Sequence, residues 1–409
     1  MVTHVTALRC KECSREYPVG AFNVCEFCFG PLEVVYDLDA IKKAVSRESI
    51  MAGPHSLWRY ADFLPADHNP DVDINAGFTP LIRSKGLADH LGLEELWIKN
   101  DSVNPSYSFK DRVVAVAAAK AIELGFDTLA CASTGNLACA VAAHAARGNM
   151  AAYVFIPSDL EHGKVLGAAI YGPTMVAIDG TYDDVNRLCS ELADTYPWAF
   201  VNINIRPFYA DGSKTLGYEV AEQLGWRTPM HAVAPSASGA MFTRIYRGFN
   251  DFADTGLIGK VETKMHCVQP RGCSPIATAY EEGRLIIRPV RANTIAKSLG
   301  IGNPADGYYA LKTIEASGGS AVIAEEHEVA EGIKLLAETD GIFTEGAGGV
   351  AVAGLKRLVE RGTIKPDEPT VLYITGNGLK TTELVEDVVH PLHIEATVKA
   401  FQDAIGARA

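Results

Sequence analysis

From about residue 75 the chain repeats one texture: a short apolar run, a loop of small residues, then a longer stretch with apolar positions at helical spacing. ELWIKND (95–101), DTLACA (127–132), MAAYVFIP (150–157) and the runs MVAIDG, HAVAP, MHCVQP and TVLYI read as strands. They are short, apolar and bounded by turn residues. KDRVVAVAAAKAIELG, LACAVAAHAAR, GKVLGAAIYG and YDDVNRLCSELADTY have helical period and read as the intervening helices. Strands alternating with helices predict an α/β fold with parallel sheets covered on both faces. No solenoid-period repeat competes with that reading.

In open α/β sheets, ligands bind beyond the carboxyl ends of the strands. Three loops carry suitable chemistry there. STGN (133–136) leads from a strand into a helix, and offers backbone N–H groups, two hydroxyls and an amide. PSASGAM (235–241) has side chains small enough to let the backbone approach a phosphate, with the Ser236 and Ser238 hydroxyls as extra donors. TGNGLK (375–380) puts the Thr375 hydroxyl at a strand end, beside glycines that leave room for a flat ring. EGAGGVA (345–351) matches the dinucleotide pattern through Gly346, Gly348 and Ala351. No clear buried strand precedes it, so it reads as a tight turn into the helix VAVAGLKRL. A P-loop motif is absent.

NPSYSFKDR (104–112) sets a lysine in an unfavourable place. Asn104-Pro105 signals a turn, and Ser106 and Ser108 are suitable N-caps, so Lys110 falls in the first helical turn, where the macrodipole disfavours a cation. A lysine so placed should have a depressed pKa, and a neutral amine is a nucleophile toward aldehydes. Pyridoxal phosphate is an aldehyde cofactor that also needs a phosphate cradle.

Ahead of this body, Cys10, Cys13, Cys25 and Cys28 form C-x₂-C-x₁₁-C-x₂-C, a spacing that lets two knuckles converge on one structural Zn²⁺. The segment has little core of its own, so metal would supply much of its folding energy. Paired C-x-x-C motifs among nine cysteines favour a reducing cytoplasm over a disulfide framework. The N-terminus lacks the apolar run of a secretory signal, and no stretch is long and apolar enough to span a membrane. A net charge of −13 argues against nucleic acid and anionic membranes as partners.

NPSYSFKDR, ACASTGN, GSKT (212–215), the small-residue phosphate loop, TIAKSLGIGNP, EGAGG and TGNGLK together resemble the threonine synthase family of fold type II pyridoxal-phosphate enzymes. The cysteine-knuckle N-terminus resembles a subset of that family. The resemblance implies two open, twisted parallel-sheet domains behind a zinc-ribbon-like segment (1–37). The larger, cofactor domain would comprise 38–100 plus 226–395, the smaller 101–225, with a tail from 396 to 409. It further implies that Lys110 bonds to the cofactor, Asn136 to its 3′ oxygen and Thr375 to its ring nitrogen. Ser236, Ala237, Ser238, Gly239 and Ala240 would hold its phosphate.

Ser133, Thr134 and the backbone after Asn136 would take the substrate carboxylate, and Lys164 the substrate phosphate. The implied activity turns O-phosphohomoserine and water into threonine and phosphate in a homodimer, with Lys110 moving protons between Cα, Cβ and Cγ. Several positions depart from the common pattern: Tyr107 replaces Gly, Leu137 replaces Thr, and the phosphate loop is SASGA. Tyr209 replaces an arginine, a role that Arg206 is expected to assume. The departures leave room for a sister lyase, such as a cysteate synthase or a threonine dehydratase.

Overall fold

The computed structural model describes residues 3–406 apart from Thr134. Its strands form three sheets. An antiparallel sheet at the N-terminus joins β1 (Val5–Cys10), β2 (Glu16–Tyr17) and β3 (Leu32–Tyr36), in the order β2-β1-β3. The body holds β4 (Leu81–Ser84), β5 (Leu96–Asn100), β6 (Thr128–Ala132), β7 (Ala151–Pro157), β8 (Thr174–Ile178), β9 (Ala199–Phe200), β10 (His231–Pro235), β11 (Lys264–Pro270), β12 (Ser320–Ala324) and β13 (Thr370–Ile374). Six of them form a sheet ordered β12-β11-β10-β13-β5-β4, and four form a sheet ordered β8-β7-β6-β9.

Every pairing in these two sheets is parallel except that between β4 and β5, where the edge strand LIRS returns antiparallel. The predicted strands are all present. The sequence pattern missed β4, β9 and β12. The first two are four and two residues long, too short for periodicity to register. The third, SAVIA, has the same apolar character as its neighbours but lacks an aromatic or proline boundary.

The Lys110–Glu123 and Asn136–Arg147 helices pack together in the core of the smaller sheet. Their alanines explain the close approach: Ala115, Ala117, Ala118, Ala138, Ala140 and Ala142 are all buried. The same core cluster continues into the N-terminal sheet through Leu8, Tyr17 and Leu32, so the cysteine segment is packed on the body.

The helix carrying Lys110 starts differently from the sequence expectation. Phe109 occupies the N-cap position, and its side chain makes no capping hydrogen bond. Ser106 instead gives both its N–H and its hydroxyl to the buried carboxylate of Asp111, at 2.6 and 2.5 Å. That engages the carboxylate adjacent to Lys110 and leaves the lysine to other partners. Tyr107 sits at φ +64°, the left-handed region that favours glycine. The glycine of the common pattern is therefore a backbone requirement, and here a tyrosine meets it at some cost in strain.

Candidate active site

β5, β6, β10 and β13 all end on the same side, and the loops that follow them meet around a cavity of about 650 Å³. Lys110, Ser133, Asn136 and Thr375 line it, as does the whole 236–240 loop. Residues far apart in sequence thus converge because parallel strands deliver all their outgoing loops to one edge.

Lys110 is half-buried, with its open side on the cavity. Its Nζ donates to the hydroxyl of Tyr209 at 2.9 Å, the one hydrogen bond the amine makes among the described residues. The amine's pKa is lowered to about 8. Burial is the main cause, opposed by the nearby Glu345 carboxylate. The depression expected from sequence is present, and desolvation is what drives it. Burial also raises the Tyr209 phenol well above its usual value, which keeps it a neutral hydrogen-bonding partner.

At one end of the cavity, the chain leaves β10 through Ser236–Gly239 and enters the 15-residue Ala240–Asp254 helix. Ser236 Oγ is buried and has no hydrogen-bond partner among the described residues. Gly239 has φ +91°, and a Cβ there would lie 2.8 Å from the Asp306 carbonyl oxygen. An orphaned hydroxyl beside a helix N-terminus, in a loop too tight for a side chain, has the chemistry of an anion cradle. Asn136 is held at both ends of its amide: Nδ2 donates to Glu345 Oε1 at 2.6 Å, and Oδ1 accepts from Lys380 Nζ at 3.1 Å. Thr375 is buried, and its carbonyl accepts from Phe109 N–H at 2.9 Å, tying the β13 exit to the Lys110 turn. Ser133 Oγ accepts from the N–H groups of Gly135 and Ala138, at 2.9 and 2.8 Å, and so caps the following helix.

Two expected substrate contacts take other partners. Lys164 lies behind the cavity wall rather than on it, fully buried against Gly135, with Nζ 3.1 Å from Glu161 Oε1 and 3.8 Å from Glu345 Oε2. Arg206 does line the cavity, but its guanidinium is ion-paired with Asp306. Thr134 lies outside the described residues. Sequence reasoning did not single out Glu345 or Lys380, although EGAGG and TGNGLK contained them; a buried carboxylate becomes a signal only once its neighbours are known. Tyr209 appeared as a departure from pattern, and its contact with Lys110 gives that departure a role.

The four N-terminal cysteines also converge. Their sulfurs all lie within 4.8 Å of one another, with Cys10–Cys28 at 3.4 Å and Cys13–Cys25 at 3.6 Å. Four thiolates about 2.3 Å from a central zinc would sit about 3.8 Å apart, so the donor set and its spacing fit a tetrahedral ion.

A model of the pyridoxal-phosphate dependent enzyme family matches residues 72–376. The threonine synthase of Methanocaldococcus jannaschii is 36% identical over 399 residues, covering 96% of this chain and 98% of its own. The chain belongs to the threonine synthase family. The threonine synthase of Methanosarcina acetivorans is likewise 36% identical, over 98% of this chain and 99% of its own. Among solved structures, diaminopropionate ammonia lyase from Escherichia coli shares the fold, with a TM-score of 0.65 at 20% identity over 80% of this chain and 94% of that one. Members of the family are pyridoxal-phosphate-dependent lyases with the type II fold described above. The sister activities allowed by sequence are not favoured, since full-length similarity runs to threonine synthases. Among the described residues, no helix is long and apolar enough to cross a membrane.

Proposed function

We propose that the protein converts O-phospho-L-homoserine and water into L-threonine and phosphate, with Lys110 as the residue that binds pyridoxal phosphate and moves protons. The observation that carries this is the Lys110 amine, with a pKa of about 8, opening on a cavity bordered by an anion cradle. When bound, the cofactor supplies an electron sink that stabilises negative charge on substrate carbons.

The remaining work falls to the chain. Ser236 Oγ and the N–H groups through Ala240 would hold the cofactor phosphate, and Thr375 would meet the ring nitrogen. Asn136 Nδ2 has two hydrogens. One goes to Glu345, leaving the other for the ring oxygen. Ser133, whose oxygen accepts from the helix, keeps its own O–H to donate to a carboxylate. With a pKa near ambient pH, the Lys110 amine can take a proton at one substrate carbon and return it at the next. The Tyr209 hydroxyl holds Nζ over the cavity between these transfers. Arg206, on the cavity wall, would meet the substrate phosphate once Asp306 is shared or displaced, and Lys164, behind the wall, would act on it only through its charge.

The four thiolates would hold a structural Zn²⁺. The two C-x-x-C pairs, a metal-binding set of thiols, support the cytoplasm as its compartment, and the resemblance supports a homodimer. In the direct test, the purified, cofactor-loaded protein is given O-phosphohomoserine, O-phosphoserine and threonine in parallel. Equal yields of phosphate and threonine from the first substrate alone are expected. Turnover confined to either of the others would overturn the assignment.

A further inference from the structure

The family model begins at residue 72, yet part of the cavity wall lies upstream of it. Asn23, Val24, Phe29 and Pro31, all from the cysteine segment, line the same cavity as Lys110. Their positions depend on the thiolate knuckles. Phe29 N–H bonds to the Cys25 carbonyl and Cys25 N–H to the Gly30 carbonyl, each at 2.9 Å, closing a turn that holds Phe29 at φ +59°. A side chain at Gly30 would meet Cys10 Sγ at 2.9 Å, so the second knuckle lies directly against the first. Lys11 N–H donates to the Pro31 carbonyl at 3.0 Å.

The segment is also fastened to the site from behind. The Tyr36 hydroxyl donates to Asp211 Oδ2 at 2.7 Å, and Lys214 Nζ stands 4.1 Å over the Tyr36 ring. Asp211 ends the Arg206–Asp211 helix that carries Tyr209, the partner of Lys110. On the other flank, Tyr309 bonds to Glu12 and Lys11 Nζ lies 3.1 Å over its ring. Tyr309 belongs to the Gly307–Ser317 helix, whose N-cap residue Asp306 pairs with Arg206 and, through its N–H, bonds the Ser238 carbonyl of the anion loop. The cysteine segment therefore bridges the two halves of the cavity rim.

We propose that the Cys10–Cys28 ribbon is a wall of the substrate cavity, so that metal on the four thiolates sets substrate affinity through Asn23, Val24, Phe29 and Pro31 as well as holding the segment folded. Phe29 is 76% exposed at the rim, so an occupant of the cavity gives its ring a surface to cover. The proposal rests on the reading of this cavity as the substrate site.

The test measures binding rather than turnover. In a Lys110→Ala background supplied with excess pyridoxal phosphate, O-phosphohomoserine is titrated by calorimetry into zinc-replete protein, into protein stripped with phenanthroline, and into the Phe29→Ala double variant. Circular dichroism checks the fold each time. The expected result is a Kd raised about tenfold by stripping and by Phe29→Ala, with zinc re-addition restoring the stripped sample. An unchanged Kd in the folded, stripped protein would overturn the proposal. Should stripping unfold the chain, an unchanged Kd in zinc-replete Phe29→Ala would overturn it equally. Phosphate release by the Lys110→Ala background would instead sink the role of Lys110, and the Kd comparison would still decide the ribbon.

Discussion

At the scale of one residue, the central quantity is the proton affinity of Lys110 Nζ. Burial lowers it from the ordinary 10.5 to about 8. A group with a depressed cationic pKa is mostly protonated below the folded value and mostly free above it. Only the free amine attacks an aldehyde. The rate at which apoprotein takes up pyridoxal phosphate, followed by absorbance, is therefore expected to climb as pH rises from about 7 and to level off above about 9. A profile still rising steeply at pH 10 would contradict the desolvated amine. NPSYSFKDR made this lysine conspicuous in the sequence, but not the reason for its state. Phe109 beside it belongs to that motif, but Tyr209 and Glu345, which complete its surroundings, come from two remote stretches of chain. The shift has the sign expected for a lysine in a first helical turn, but desolvation carries it.

At the scale of elements, the turn carrying Lys110 is positioned by an ion network two residues further on. Arg112 is fully buried, with Nε 2.6 Å from Asp101 Oδ2 and Nη2 2.7 Å from Glu219 Oε2. Lys99 Nζ adds a 2.6 Å contact to the same Glu219 oxygen. The two cations hold the Glu219 carboxyl down to about 2, against the pull of burial. The network joins β5, the Lys110–Glu123 helix and the Lys214–Gln223 helix. Arg112→Ala leaves two buried carboxylates with Lys99 alone, and is expected to cost about 3–5 kcal/mol in denaturant unfolding. A loss under 1 kcal/mol would show that the network does not hold these elements together. Nothing in the spacing of Asp101, Arg112 and Glu219 reveals it, since its members lie on different elements and are joined only by folding.

At the scale of the whole molecule, the architecture was legible because parallel sheets bury their strands on both faces, leaving continuous apolar runs such as AAYVFIP and HAVAP. Periodicity also reaches the loops that meet at one edge, because strand direction alone decides where they go. It does not reach contacts between the cysteine segment and the cavity, which depend on how separately folded units dock. Phe29 and Asn23 carry no chemical mark in the sequence that would tie them to Lys110, more than 80 positions away. Lys164 is the converse case: the family resemblance put it at the substrate, whereas its amine is packed between two carboxylates behind Gly135.

Lys110, Lys164 and Lys380 all lie in or beside this site, and only one of these amines can carry the cofactor. Borohydride reduction of the loaded protein, followed by peptide mass mapping, reads this directly. The predicted result is a single pyridoxyl adduct on the peptide containing Lys110, lost in Lys110→Ala. An adduct on Lys164 or Lys380, or none on any lysine of a yellow, active protein, would contradict it.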